Sequence, residues 1–249
     1  MALTKTRAEI DKMRESGRIV AKTLRLVSQQ IRPGVTPREL NDEADKIIRS
    51  EGGIPSFLNY RGFPAATCIS VNSVVVHGIP TSVPLEEGDI VSLDFGVVKN
   101  GWHADGAWTF PVGQISREAE RLLKVTQEAL NQGIAKARAG NRIGDISATV
   151  QRYCESNGYG VVRDLVGHGI GQALHEAPHS IPNFGKAGKG DVLREGMTIC
   201  IEPMINQGTY KVIQWPDKWT VETADKKLSA HFEHTIAIHR EGAEIITKE

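Results

Sequence analysis

The sequence is short of cysteine and carries no net charge. Its 249 residues include three cysteines, Cys68, Cys154 and Cys200, and no two of them form a CxxC pair. This argues against a disulfide framework and against a zinc site built from thiolates. Basic and acidic residues number 30 each, which argues against a dedicated nucleic-acid-binding protein, because such proteins need a cationic surface. With 40% hydrophobic residues, the chain also falls outside the disordered class.

Long apolar segments are missing as well. No run approaches the roughly 20 apolar residues that a membrane-spanning helix needs. The segment ALTKTRAEIDKMRESGR at residues 2–18 lacks the apolar centre of a secretory signal. Unpaired cysteines suit a reducing compartment. We therefore expect a cytosolic protein that contacts no membrane and builds its core without disulfide bonds.

Residues 10–52 carry the pattern of two helices. Apolar side chains within residues 10–31 fall mostly three, four or seven positions apart, which predicts an amphipathic helix that ends before Pro33. Thr36 and Glu39 have the spacing of a capping box. They predict the start of a second helix, which ends at Gly52.

The same pattern returns 106 residues later. Two further helical segments follow one another, and Gly140 stands between them where Gly34 stands between the first two. The identity is weak, but the helices, the breaks and the apolar positions agree. We interpret this as an ancient duplication within one domain, residues 1–249, whose halves cover about 1–110 and 111–249.

Runs of strand-forming residues lie apart from these helix pairs. They cover residues 67–76, 90–98, 198–201 and 232–238. Strands segregated from helices indicate the α+β class, with a mostly antiparallel sheet covered by helices on one face. The other face would then be free for a functional site.

Two aspartates flank the strongest hairpin signal in the chain. Asn100-Gly101 between two strand-like runs predicts a two-residue loop, which places Gly96 opposite Asp105. Asp94 then points to the same face as Asp105, about 7–8 Å away at the backbone. Such carboxylates repel unless a cation lies between them, and they suit a pair of metal ions. The alternative, two solvated surface aspartates, is disfavoured by the apolar run before Asp94.

Three other segments contribute candidate ligands. His168 lies between two glycines, and His175 follows seven residues later. A single histidine in such a loop is more often structural, but two of them favour metal ligation or catalysis. Glu202 ends an apolar strand, where a buried carboxylate needs a partner. Glu233 shares a strand face with His231. Oxygen donors with an imidazole suit a dinuclear site for Mn, Fe, Co or Zn.

Taken together, these motifs resemble type I methionine aminopeptidases, which are metallopeptidases of the pita-bread fold. The resemblance covers essentially the whole chain. It implies two pseudo-symmetric halves, each of two helices plus antiparallel strands, which form one curved sheet with the helices on its outer face. The stretches that carry it are NYRGFP (59–64), CISVNSVVVHGIP (68–80), LDFGVVKNGWHADGAWTF (93–110), GHGIGQALHEAP (167–178), TICIEPMIN (198–206) and LSAHFEHTIAI (228–238).

The resemblance also implies the roles of individual residues. Glu202 would ligate metal and also serve as the general base and then the general acid. His175 would stabilise the oxyanion, and His77 would contact the substrate amide. Two divalent ions, of Co, Mn, Fe or Zn, would activate a water molecule. Their ligands would be Asp94, Asp105, His168, Glu202 and Glu233.

Two further sites follow from the same resemblance. The pocket for the methionine side chain would be formed by Tyr60, Phe63, Cys68 and Trp219, together with His77 and His175. A monovalent cation would bind near Asn72, Val74 and Ser229. Two positions depart from the family pattern near this pocket. They are Arg61, where histidine is common, and Leu174, where an aromatic residue is common.

The implied activity is removal of the initiator methionine from nascent proteins that have a small second residue. The partners would be the N-termini of nascent polypeptides, with transient ribosome contact, and the enzyme would be a monomer. One alternative is an Xaa-Pro aminopeptidase or prolidase-like peptidase, which usually carries a large additional N-terminal domain. The other is a non-catalytic pita-bread binding protein, which would have lost ligands, whereas all five positions are filled here.

Overall fold

The computed structural model describes residues 4–248, in which four α-helices, one 3-10 helix (Tyr60–Gly62) and fifteen strands follow one another. The helices are α1 (Arg7–Ser28), α2 (Pro37–Ser50), α3 (Arg117–Lys136) and α4 (Ile143–Ser156). The strands are β1 (Ile54–Pro55), β2 (Cys68–Val71), β3 (Val74–Val76), β4 (Ile90–Lys99), β5 (Trp102–Pro111), β6 (Gly160–Val161), β7 (Gly167–Gly169), β8 (Glu176–Ile181), β9 (Thr198–Ile201), β10 (Met204–Asn206), β11 (Val212–Gln214), β12 (Val221–Thr223), β13 (Ser229–His231), β14 (His234–Ile238) and β15 (Ala243–Ile245).

The helix starts are set by local side-chain bonds. In the capping box of α2, Thr36 Oγ1 accepts from the backbone N–H of Glu39, and the Glu39 carboxylate accepts from Thr36 N at 2.8 Å, as the spacing predicts. Helix α1 ends at Ser28, earlier than the apolar pattern predicts. Ile31 still packs against the core from the turn beyond the helix, because burial of a side chain does not require helical backbone.

The two helix pairs repeat one another closely. Helices α2 and α4 are each 14 residues long, and their first residues lie at the 106-residue offset seen in the sequence. Gly34 and Gly140, which precede them, have φ angles of 90° and 93°. This is a conformation that glycine adopts with little strain. The two helix pairs thus correspond in length, in spacing and in the conformation of the glycine before the second helix, and the division into duplicated halves stays a prediction.

Every paired strand is antiparallel, and the strands form four hydrogen-bonded sheets. The predicted strand at residues 67–76 is divided into β2 and β3 by a turn at Asn72, whose φ is 54°. The predicted strand at residues 232–238 starts two residues later than expected, at His234. Both differences occur where the chain passes from one sheet to another, between β2 and β3 and between β13 and β14.

The central hairpin has the predicted register. Strands β4 and β5 pair Lys99 with Trp102 and Gly96 with Asp105, so Asn100-Gly101 forms the two-residue loop. Helix α1 lies against both strands, and α3 lies against β9, β10 and β13. The described helices are all too short or too polar to cross a membrane.

The two halves meet where β5 runs beside the junction of β13 and β14. Ala107 and Glu233 exchange backbone hydrogen bonds of 2.8 and 3.4 Å. On one side of this pair, Thr109 Oγ1 bonds to both the N–H and the carbonyl of His231. On the other side, Thr235 Oγ1 bonds in the same two ways to Asp105. Residues 105, 107 and 109 are therefore the counterparts of 231, 233 and 235.

This junction predicts a stability effect. We expect Thr235→Val to lower the free energy of unfolding by about 1–3 kcal/mol, because it leaves the buried N–H of Asp105 without an acceptor. Thr126→Val is the matched control. Thr126 is equally buried, but its hydroxyl bonds only to the Leu122 carbonyl within α3. Urea denaturation of both metal-free variants measures the difference, and equal losses would contradict the importance of the junction.

Candidate active site

A single cavity of about 330 Å³ brings the predicted site together. Its walls include all five predicted metal ligands and all six predicted substrate-contacting residues. These residues come from both halves of the sequence. They are Tyr60, Phe63, Cys68, His77, Asp94, Asp105, His168, His175, Glu202, Trp219 and Glu233.

The carboxylates converge on one small volume. Ligand oxygens of Asp94, Asp105 and Glu233 all lie within 4.8 Å of one another. His168 Nε2 lies 3.7 Å from Glu202 Oε1 and 4.0 Å from Asp105 Oδ2. Two atoms 3.7 or 4.0 Å apart can share a metal ion, since two metal–ligand bonds of about 2.0–2.2 Å span at most about 4.4 Å.

His168 is positioned by the glycines on both sides of it. A Cβ atom at Gly167 would lie 2.3 Å from the Cys200 carbonyl oxygen, and one at Gly169 would lie 2.5 Å from the Ala177 carbonyl oxygen. Only glycine therefore lets the neighbouring strands approach. His168 Nδ1 bonds to the Gly169 carbonyl at 2.9 Å, so Nδ1 carries the proton and the Nε2 lone pair faces the carboxylates.

Burial and mutual repulsion favour protonation of these acids when no metal is bound. Burial, followed by the neighbouring Asp105 and Glu202 charges, raises the pKa of Asp94 well above its usual range. Burial raises the pKa of Asp105 to about 7. The pKa values of Glu202 and Glu233 are also raised, first by burial and then by the neighbouring acids.

A divalent cation fits this donor set. Asp94 Oδ1, Asp105 Oδ1 and Glu233 Oε1 are buried without a hydrogen-bond partner. Within residues 4–248, the recorded ion-pair partners of the acids in this cluster are histidines, not lysine or arginine. Burial lowers the pKa of His168 to about 4, so its imidazole is neutral, as a metal ligand must be. The five residues therefore suit hard or borderline divalent ions.

His175 is oriented by Tyr60. The Tyr60 hydroxyl lies 2.8 Å from His175 Nδ1, and the two rings stack with centroids 5.3 Å apart. Burial, followed by the nearby His168 and Arg61, lowers the pKa of His175 to about 3. When Tyr60 donates to Nδ1, the proton of this neutral ring lies on Nε2, which can then donate a hydrogen bond into the cavity.

The apolar part of the cavity contains the predicted pocket residues. Phe63 meets Trp219 edge to face at 5.1 Å, and the buried Cys68 thiol lies beside them in the same cavity. Val76 and Met204 also line the cavity, although sequence reasoning did not identify them. Each belongs to an ordinary apolar run, so no sequence signal separates them from core residues.

Two other groups near the site were not anticipated. Cys200 Sγ lies within 4.8 Å of ligand atoms of His168 and Glu233, closer than the cysteine spacing suggested. Burial raises its pKa well above the usual range, so it is a thiol and not a thiolate. Lys5 forms a buried 2.9 Å ion pair with Glu176, which fixes the end of the loop that carries His175.

The residues predicted to bind a monovalent cation lie outside this cavity. The backbone N–H of Ser229 donates to the Asn72 carbonyl at 2.9 Å, so these two are in contact. Val74 follows on β3, where it pairs with Glu222. The Ser229 hydroxyl bonds to Asn206 at 2.8 Å. Binding of a cation at this place stays a prediction.

Comparison with known proteins matches this chain to one family. Residues 11–240 match the model of metallopeptidase family M24. The chain is 52% identical over 247 residues to a methionine aminopeptidase of Clostridium perfringens, covering 99% of each chain. It superimposes on a crystal structure of methionine aminopeptidase from Thermotoga maritima with a TM-score of 0.98 and 45% identity, covering all of both chains.

The relation to proline-specific peptidases is more distant. The prolidase from Pyrococcus furiosus has a TM-score of 0.80 and 24% identity, and this chain spans 66% of its length. At that identity the likeness shows a shared fold. The alternative of an Xaa-Pro peptidase is therefore not favoured.

The raised carboxylate pKa values predict proton release when metal binds. Ligands must be ionised, so Mn²⁺ displaces protons that the metal-free cluster holds at pH 6. Fewer remain at pH 8, above the pKa of about 7 of Asp105. His168 contributes none, because it is already neutral at either pH. Calorimetric titration in buffers of different ionisation enthalpy measures the release, and binding heats that are the same in every buffer at pH 6 would contradict it.

Proposed function

Because this chain belongs to metallopeptidase family M24, we propose that its buried carboxylates and His168 hold two divalent metal ions for the removal of N-terminal methionine. The enzyme removes the initiator methionine, as its full-length match to methionine aminopeptidases supports. When bound, such ions act as Lewis acids that activate water and polarise the scissile carbonyl. The main support for a dinuclear centre is that four acids lie close together and that, among the described residues, none of them pairs with a lysine or arginine.

Glu202 is the acid best placed to exchange protons with a substrate. Its side chain is 13% exposed, whereas those of Asp105 and Glu233 are 6% and 3% exposed. It follows β9 directly, and Oε1 faces His168 while Oε2 faces the other side. We propose that Glu202 takes the proton of the attacking water and passes it to the leaving amine.

His175 and His77 complete the polar part of the site. With Nδ1 occupied by Tyr60, the Nε2–H of His175 can donate to the oxygen on which negative charge develops. His77 lies in the same cavity beside Trp219, with ring centroids 6.4 Å apart. Its proposed role is a hydrogen bond to the substrate amide.

The apolar walls fit a methionine side chain. Phe63 and Trp219 offer aromatic contacts, each of which is worth about 0.3–1.5 kcal/mol for a thioether, and Cys68 and Met204 add sulfur to the same wall. A free α-amino group that binds at the metal centre restricts the enzyme to N-termini. The preference for a small second residue, the monovalent cation, the monomeric state, the cytosolic location and ribosome contact stay predictions.

An activity assay tests the whole proposal. Metal-free protein reconstituted with Mn²⁺ should bind two equivalents and cleave Met-Ala-Ser much faster than a Gly-Pro peptide. Glu202→Gln should abolish turnover and leave the protein folded, because the amide cannot accept the proton of water. Glu244→Gln is the control, since Glu244 pairs with Arg14 and does not line the cavity. Faster turnover of the proline peptide would overturn the assignment.

The oxyanion role of His175 gives a separate prediction. We expect His175→Ala to lower kcat by about 10²–10³, the usual cost of losing one oxyanion donor. Tyr60→Phe should lower kcat by a smaller factor, because the ring of His175 stays but its tautomer is no longer fixed. Steady-state kinetics on Met-Ala-Ser measures both. An unchanged kcat for His175→Ala would refute the role.

A further inference from the structure

His231 is a buried imidazole beside Glu202 and Glu233 that takes no part in the proposed mechanism. Its side chain is 2% exposed, and its Nε2 atom has no hydrogen-bond partner. That atom lies 3.9 Å from Glu202 Oε2 and 3.9 Å from Glu233 Oε2. A buried nitrogen without a partner is unfavourable, and the groups that face it are carboxylate oxygens, which accept hydrogen bonds when ionised.

The duplication gives an independent reason to examine this residue. At the junction of the two halves, His231 precedes Glu233 by two positions, as Asp105 precedes Ala107. Thr109 Oγ1 bonds to the carbonyl and the N–H of His231 at 2.8 and 2.9 Å. Thr235 Oγ1 bonds to the carbonyl and the N–H of Asp105 at 2.8 and 2.9 Å. His231 is therefore the second-half counterpart of a proposed ligand, and its backbone is equally fixed.

The two oxygens of Glu202 face different imidazoles. Oε1 lies 3.7 Å from His168 Nε2, on the side of the proposed ligands, and Oε2 lies 3.9 Å from His231 Nε2. Among the described residues, no hydrogen-bond donor is bonded to the Glu202 carboxylate; Asn183 bonds to its backbone carbonyl instead. A movement of about one ångström would bring Oε2 within hydrogen-bonding distance of His231.

We propose that His231 is a positioning residue, whose Nε2–H donates to Oε2 of Glu202 and fixes that carboxylate for metal binding and proton transfer. The inference rests on the proposed dinuclear function. A neutral imidazole carries one N–H, so Nε2 can supply the donor that the facing carboxylate oxygens lack. In the proposed function, Glu202 both ligates a metal and moves a proton. A hydrogen bond from His231 to Oε2 would keep the carboxylate from rotating while it does both.

Two substitutions distinguish a hydrogen-bond donor at position 231 from a metal ligand at the same position. In His231→Gln the amide N–H can reach the same carboxylate, whereas His231→Leu keeps an apolar volume without a donor. We expect the Gln variant to retain the Mn²⁺ affinity within about threefold and the Leu variant to lose about 10–100-fold, as is typical when the partner of a ligand is lost. Calorimetry in a chelator-buffered titration measures the affinities.

Two further readouts identify the role. The visible spectrum of the Co²⁺-reconstituted Gln variant should match that of the unchanged protein, because the ligand set is the same. The Leu variant should lower kcat for Met-Ala-Ser with little change in KM. Should His231→Leu fail to fold by circular dichroism, His231→Asn replaces it, since its shorter amide cannot reach Glu202.

The outcomes are distinct. Unchanged affinity in the Leu variant would show that His231 does not position Glu202. A Gln variant as weak as the Leu variant, or one with an altered Co²⁺ spectrum, would show that the imidazole itself ligates metal, which overturns the donor role. Failure of the unchanged protein to bind two metal equivalents would instead refute the dinuclear function on which the inference rests.

Discussion

The reciprocal backbone bonds between Ala107 and Glu233 set the positions of the acidic residues. Asp94 pairs with Ala107 in the central hairpin, Asp105 lies two residues before Ala107, and Ile201, which precedes Glu202, pairs with His234 beside Glu233. All four carboxylates are thus within two residues of this contact or of its strand partners. A shift of one residue at the junction would turn the side chains of the shifted strand to the opposite face.

The same junction is bonded largely by hydroxyl groups rather than by a continuous backbone ladder. Thr109 and Thr235 each use one hydroxyl to satisfy a backbone N–H and a carbonyl of the opposite half. Each hydroxyl thereby takes the place of the backbone N–H and carbonyl of a neighbouring strand, beside the residues whose carboxylates face the cavity. This arrangement explains why the strands form separate sheets and still enclose one site.

Bringing these acids together has an electrostatic cost that determines how the site works. Two unit charges about 4 Å apart repel by about 4 kcal/mol at an effective dielectric constant of 20. Burial is the first cause of the raised pKa values of all four acids, and repulsion from neighbouring acids adds to it for Asp94, Glu202 and Glu233, so these groups hold protons when no metal is bound. Divalent ions substitute for those protons, so the feature that destabilises the empty cluster is the one that makes it bind metal.

Local rules account for what the sequence predicted well. Asn100-Gly101 determines the register of β4 and β5, and thereby the shared face of Asp94 and Asp105, because a two-residue loop permits one pairing. The glycines around His168 likewise indicate a close approach of strands. The family resemblance supplied the remaining pocket residues, and the structure places them in one cavity.

Long-range contacts account for what could not be predicted. Lys5 and Glu176 are 171 residues apart, and neither has a local pattern that marks it as buried. The position of Cys200 beside Glu233 follows from the pairing of β9 with β14, in which Cys200 lies opposite Thr235. His231 shares a strand face with Glu233, as the alternation indicates, but its distance to Glu202 follows from the pairing of Met204 with His231 in β10 and β13 and not from any motif.

In the proposed mechanism, the differences between the two similar halves provide the catalytic groups. Ser92 bonds to Thr109 as Cys200 bonds to Thr235, so residues 92 and 200 correspond, and Asp94 therefore corresponds to Glu202. The first half has Asp94 at this position and Asp105 where the second half has His231, and these short side chains hold their carboxylates close to rigid strands. The second half has the longer Glu202 in place of Asp94 and a histidine in place of Asp105. Hydrolysis needs one acid that moves protons beside others that stay ionised, and two identical halves could not supply that difference.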